Sequence, residues 1–184
     1  FAGRVFYAGF DGEVFDGDNR SPNLSNIIFF SQLVRNKSDI NKCYQSGDPA
    51  GREDSDIVDT DGGFIRIVGA TNIYKLVNIG EVLIVIADNG VWVVKGGGED
   101  GFTATNYGVD KLSSFGSKSP YASISTGDAL FYWATDGIYI VTKDQFGDYK
   151  AKNISVGTIQ KFFDGIGEDI LRDVVGIYDE YDKK

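Results

Sequence analysis

Two stretches of the chain are almost unbroken apolar runs, each folded back at a glycine corner. Val82-Leu83-Ile84-Val85-Ile86-Ala87 is apolar at every position, and after Asp88-Asn89-Gly90 the pattern resumes as Val91-Trp92-Val93-Val94. The same outline returns 47 positions further on, as Ala129-Leu130-Phe131-Tyr132-Trp133-Ala134, then Thr135-Asp136-Gly137, then Ile138-Tyr139-Ile140-Val141. Each copy opens on a glycine and an acid, Gly80-Glu81 and Gly127-Asp128, and the two align without a gap. Short runs rich in β-branched and aromatic residues, bounded by Gly, Asn and Asp, predict strands. Asn89-Gly90 and Asp136-Gly137 predict hairpin turns of type I′, whose two central residues both need positive φ.

A looser third copy runs from Gly3 to Phe15 and predicts a strand, a turn at Asp11-Gly12 and a second strand. Further strands are expected at Asn26 to Leu33, Gly63 to Val68 and Phe102 to Val109, with an exposed polar loop from Ser46 to Asp61. One helix is expected near 156–164, capped by Ser155, with Ile159, Phe162 and Phe163 on one face and Gly165 as its stop. Asp173 to Asp179 reads as the opening strand of another unit.

A strand apolar at every position needs cover on both faces, so Val82 to Ile86 predicts a sheet stacked between two others. A repeat of this length falls in the range of propeller blades. The predicted fold is all-β: a partial β-propeller-like stack of antiparallel hairpin blades, with blade-like units about 1–45, 64–110 and 121–154 and the start of a further unit at 173–184. Trp92, Phe131, Trp133 and Tyr139 are expected in the blade core.

Composition narrows the chemistry. The 184 residues include no His, which removes His-based triads and His-ligated metals. The formal net charge is −9, which disfavours clinging to a phosphate backbone. Cys43 is the single cysteine and has no internal disulfide partner. No apolar run approaches the roughly 20 residues of a membrane helix. The chain lacks Met and opens on Phe1-Ala2-Gly3, which suggests a piece of a longer product.

Candidate sites are few. Asp59-Thr60-Asp61-Gly62-Gly63 is the run most like a calcium loop, but its glycine comes too early and no acid closes it. Ile86 to Trp92 matches a sialidase-type Asp box only in part, since Ile stands where Ser or Thr is needed and the tryptophan comes one residue early. Gly96-Gly97-Gly98-Glu99-Asp100-Gly101 lacks the Lys-Ser/Thr of a phosphate loop. Trp92, Tyr132, Trp133 and Tyr139 are the one set of aromatics that could form a sugar platform if exposed. The sequence therefore predicts no enzyme, no cofactor and no metal.

The order of pieces from Ile73 to Val141 resembles the tail-tube or nozzle proteins of short-tailed phages (tail tubular protein B-like), in their propeller part. The pieces are the lead-in Ile73 to Gly80, the corner Val85 to Trp92, the step Phe102-Thr103-Ala104-Thr105-Asn106, the turn Ser113-Ser114-Phe115-Gly116-Ser117 with Pro120, and the aromatic strand Ala129 to Gly137. The resemblance implies a structural virion component located in the phage tail and assembled in the host cytoplasm. It implies a ring of copies, a hexamer in that family, contacting adjacent tail, adaptor or fibre proteins, with genomic DNA as transiting cargo. A carbohydrate- or receptor-binding propeller is the alternative; a sialidase-like hydrolase would need an arginine cluster, whereas the arginines are scattered, and a scaffold of the WD40 or kelch type is a further reading, for which the Gly-His and Trp-Asp signatures of WD40 are missing.

Overall fold

A computed structural model describes residues 1–10, 15–16, 19–20, 23–46, 57–98, 101–167, 169–179 and 181. Its backbone is nearly all-β, as the apolar pattern predicts. The first sheet holds three strands in the order β1 (Phe6–Tyr7), β4 (Ile27–Phe30), β5 (Gly63–Arg66). The second is a four-stranded meander of β6 (Ile73–Ile79), β7 (Val82–Ala87), β8 (Gly90–Gly96) and β9 (Tyr107–Ser113). The third is another meander, β10 (Ser123–Ser125), β11 (Leu130–Trp133), β12 (Ile138–Lys143) and β13 (Tyr149–Asn153). A small ribbon pairs β2 (Phe15–Asp16) with β3 (Asn19–Arg20). All pairings are antiparallel, and among the described residues no sheet closes into a barrel.

All six residues of β7 are buried. Successive side chains on a strand point to opposite faces, so the run splits into two sets. Leu83, Val85 and Ala87, with Trp92 and Val94 of β8, pack against Ile28, Phe30 and Ile65 of the first sheet. Val82, Ile84 and Ile86, with Val91 and Val93, pack against Leu130, Tyr132, Tyr139 and Val141 of the third. The second sheet is thus the middle of a three-layer stack. Burying one such aliphatic side chain is worth about 1.5–3 kcal/mol, and both faces of the sheet collect it.

The 47-residue offset is a three-dimensional equivalence. Across the second sheet the register aligns Val77, Ile84 and Val93 in one row. Across the third it aligns Ile124, Phe131 and Ile140, each 47 positions later. The faces correspond too: Leu130, Tyr132, Tyr139 and Val141 look back at the second sheet as Leu83, Val85, Trp92 and Val94 look back at the first. The layers therefore share one direction.

Several local expectations change. β1 pairs with β4, and Phe15, the described residue of the expected partner strand, lies in β2, which pairs with β3. The reason is Arg4, a buried side chain that donates to the carbonyls of Ser31, Asp59 and Asp61 and lies over the Phe30 ring, which fixes the N-terminal segment beside β4. Asp11 and Gly12 themselves lie outside the described residues. β5, read as the opening of the second unit, closes the first sheet instead. The last strand of the second sheet begins at Tyr107; Phe102 is a buried ring meeting Phe6 and Phe30. The helix is only α1 (Gln160–Phe163). Gly157 sits at φ 83, left-handed backbone that stops a helix from starting at 156. Phe163 is buried, but Ile159 and Phe162 are exposed. No strand forms over 173–179; Gly176 N–H donates to the Tyr121 carbonyl at 2.8 Å, laying the segment beside the lead-in to β10. No helix among the described residues is long and apolar enough to cross a membrane.

Because Ile84 is fully buried between the second and third layers, Ile84→Ala is expected to cost about 2–5 kcal/mol in urea denaturation. Val68→Ala, at an exposed position, is expected to change stability by less than about 0.5 kcal/mol. Equal effects at the two positions would refute the three-layer packing.

Candidate functional site

The corners singled out in the sequence join the layers, but by a different chemistry from the one expected. In the β7–β8 hairpin Ala87 pairs with Gly90, so the two-residue turn is Asp88-Asn89. Neither Asn89 nor Gly90 has positive φ, and the turn is not type I′. Asn89 is there for its amide: Oδ1 accepts from Thr71 N–H at 2.9 Å and Nδ2 donates to the Gly69 carbonyl at 2.7 Å. Gly90 is there for space, because a Cβ would lie 2.7 Å from the Ser113 carbonyl oxygen and 2.9 Å from the Trp92 ring. The leading glycines of the repeat, Gly80 (φ 55) and Gly127 (φ 92), do have positive φ, as does Gly137 (φ 157) at the second corner.

The second corner works alike. Trp133 pairs with Ile138, leaving residues 134–137 as a loop closed by the Ala134 N–H to Gly137 carbonyl bond of 2.8 Å. A Cβ on Gly137 would collide with the side chains of Asn153 and Ser155. Asp136 accepts a hydrogen bond from Tyr139 Oη at 2.9 Å through Oδ2, and its carbonyl accepts from Gln160 Nε2 at 2.8 Å. The corner is therefore the anchor of α1.

The four aromatics divide by face. Trp92 is buried between the first and second layers, with Lys111 Nζ 5.0 Å from its ring centroid. Tyr139 is buried between the second and third, stacked on Tyr132 at 5.3 Å and on Phe115 at 6.0 Å. Phe131 and Trp133 alternate to the other side of β11 and are half-buried on the outer face of the third sheet, so they are not part of the core between layers. Trp133 meets Phe163 of α1 at 4.9 Å. Trp92, Tyr132 and Tyr139 are buried, so the aromatic set offers no exposed sugar platform.

Burial raises the Tyr139 hydroxyl, and its bond to the Asp136 carboxylate raises it further, pushing it up to about 12. Burial likewise raises Tyr132, whose hydroxyl donates to the Phe115 carbonyl at 3.2 Å. Both are proton donors locked into packing.

The calcium-like run is a structural turn. The Asp61 side chain is buried and accepts from Ser46 N–H at 2.8 Å and Val58 N–H at 3.0 Å. Among the described residues no group of three or more metal-ligating side chains gathers. Cys43 is a free thiol that burial pushes up, away from the reactive thiolate.

Sequence reading did not find a cleft of about 1260 Å³ between the N-terminal segment and the edges of the second and third sheets. Phe102, Glu81, Lys95, Asp110, Lys143 and Tyr149 line it. Asp110 is held by Lys95 at 2.7 Å, and Tyr149 Oη donates to the Ile79 carbonyl at 3.1 Å. Lys95 and Asp110 lie on one face of neighbouring strands, diagonally two positions apart in register, a signal visible only once the pairing is known. The cleft presents mixed charge and can hydrogen-bond a polar ligand.

If Gly90 is required for space rather than for φ, Gly90→Asn is expected to be destabilising by about 1–3 kcal/mol, whereas Gly127→Asn is milder, because Asn tolerates left-handed backbone and no atom crowds that position. The reverse order in thermal melts would restore the type I′ turn. Tyrosine titration followed by absorbance is expected to show Tyr132 and Tyr139 ionising later than exposed tyrosines. Their folded-state values lie above the unfolded one, so the stability they contribute is complete below about pH 10 and is lost as pH rises toward about 12. Replacing Tyr139 by Phe should flatten that alkaline loss. Comparison with protein-family models and with curated proteins finds no match to this chain.

Proposed function

We propose that this chain is a structural element of a phage tail, a propeller-like segment of the tube or nozzle through which DNA leaves the particle. The observation that carries the reading is the directional stack of meanders at a 47-residue offset, together with the ordered resemblance across Ile73 to Val141. A blade architecture suits a mechanical role, because each layer is clamped by the next and no layer can shear without exposing apolar surface. The net charge of −9 suits a passage for DNA, since like charges repel and the cargo does not adhere. The residues of the corners and the layers then act as scaffold, with no chemical step assigned to them. In this reading the ring of copies, adjacent tail proteins and transiting DNA are the partners, and the virion is the location.

A ligand-binding propeller is the second reading, favoured by the cleft with Tyr149 and its mixed charges. The two part in one experiment. Mass spectrometry of purified phage particles is expected to find peptides of this sequence in fixed stoichiometry with tail proteins, and antibody labelling is expected at the tail. Absence from particles, together with retention of the chain on immobilised glycans, would replace the structural reading with the binding one.

A further inference from the structure

Asn89-Gly90 is the single Asn-Gly pair in the chain, and such a pair carries a reaction of its own. The backbone nitrogen of the residue after an asparagine can attack that asparagine's side-chain carbonyl carbon. A glycine there has no Cβ to obstruct the approach and the widest choice of backbone angles with which to make it. The β7–β8 corner holds both reactants, and holds them apart. The Asn89 amide is turned toward the 69–71 turn, where Oδ1 accepts from Thr71 N–H at 2.9 Å and Nδ2 donates to the Gly69 carbonyl at 2.7 Å. Gly90 is buried and paired with Ala87. Gly116 lies over its nitrogen, so closely that a Cβ on Gly116 would collide with Gly90 N and with the Ala87 carbonyl oxygen. Asn89 itself is exposed, in reach of water.

We propose that Asn89 is a site of spontaneous deamidation, gated by opening of this corner, and that the reaction unlatches the 69–71 turn permanently. When local opening releases the amide, Gly90 N attacks Asn89 Cγ. A Cγ–N bond forms, the Cγ–Nδ2 bond breaks, the Gly90 nitrogen gives up its proton, and Nδ2 leaves as ammonia. The product is a five-membered imide joining the two residues. Water then opens one or other of its carbonyls and leaves an aspartate or an isoaspartate at this position. The only co-reactant is water. Neither product rebuilds the latch, because both exchange the amide for a carboxylate and have no N–H for the Gly69 carbonyl. The isoaspartate also routes the main chain through the former side chain, which adds a backbone atom to a turn of only two residues beneath Gly116. What comes loose is the link between two layers, since residues 67–72 connect β5 to β6. The equivalent corner of the repeat carries Asp136, which has no amide to lose. The chemistry is the same whatever the chain assembles into.

Peptide mass spectrometry reads the reaction directly. The protein is incubated at mildly alkaline pH, folded or in urea, and the fraction of Asn89 converted is followed with time. Conversion in urea is expected to be at least about tenfold faster than in the folded protein, which corresponds to about 1.4 kcal/mol for opening the corner. Gly116→Ala, whose methyl group has no room against Gly90 N, is expected to bring the folded-state rate toward the urea rate. If that variant does not fold, Thr71→Pro takes its place, since it removes the N–H that Asn89 Oδ1 accepts. The deamidated protein separates on anion exchange by its added negative charge. It is expected to melt about 2–4 °C below the unreacted protein. It is also expected to lose hydrogen-exchange protection at Asp88 N–H, which donates to the Thr71 carbonyl at 3.1 Å. Equal rates in folded and unfolded protein overturn the proposal, as does a folded-state rate that the corner variant leaves unmoved. Deamidated protein that melts and exchanges like the unreacted form overturns it too, because the latch then closes over either product.

Discussion

A sheet with no polar face cannot lie at the boundary of a protein. β7 and most of β8 are apolar on both sides, and the fold follows from covering them. Once Leu83, Val85 and Trp92 are given one neighbour and Ile84, Ile86 and Val93 another, the second meander must sit between two layers. The hydrophobic term that drives this has no direction of its own. It brings the layers together without fixing how they are turned against each other.

Orientation comes from polar contacts at the rims. Lys75 Nζ donates to the Ser123 carbonyl at 2.8 Å, and Tyr149 Oη reaches the Ile79 carbonyl, so the third sheet is tied to the second at separate points. Lys118 pairs with Asp88 at the β7–β8 corner, while Asn89 binds the 69–71 turn. On the other side Arg4 spreads its guanidinium over three carbonyls and two aromatic rings. Burial lowers its affinity for a proton, and the nearby carboxylates of Asp61 and Asp59 oppose that shift. Each contact is modest in net stability, but together they select one angular setting from the many that greasy faces would accept.

Much of this architecture was legible in the sequence because it is written in runs rather than in alternations. Val82 to Ala87 has no polar position, and that alone forecast a sandwiched sheet. The 47-residue echo forecast the second meander. The same feature hid other things: a strand apolar on both faces does not reveal which face looks inward, so Phe131 and Trp133 were grouped with Tyr139 although they face away from it. Asn-Gly and Asp-Gly marked true hairpins that are not type I′ turns: crowding by Ser113 and Trp92 alone keeps a side chain off Gly90, while Gly137 combines a φ of 157 with crowding by Asn153 and Ser155. The first sheet was misjoined because β4 finds β5 across residues 31–62, a distance over which local patterns carry no information. The cleft was missed for the same reason: its walls come from the N-terminal segment, the second sheet and the third, and meet only after folding.

The span of chain between paired strands also differs from layer to layer. Ala87 finds Gly90 across two residues, and Ile79 finds Val82 across two, so β6, β7 and β8 join through short turns, with a longer connection only from Gly96 to Tyr107. The first sheet must draw Phe30 to Gly63, and the entropy of closing so long a loop is spent before any contact returns it. Loop-closure entropy therefore predicts that the first layer consolidates after the β6–β8 hairpins and docks on the face that Leu83, Val85 and Trp92 already present.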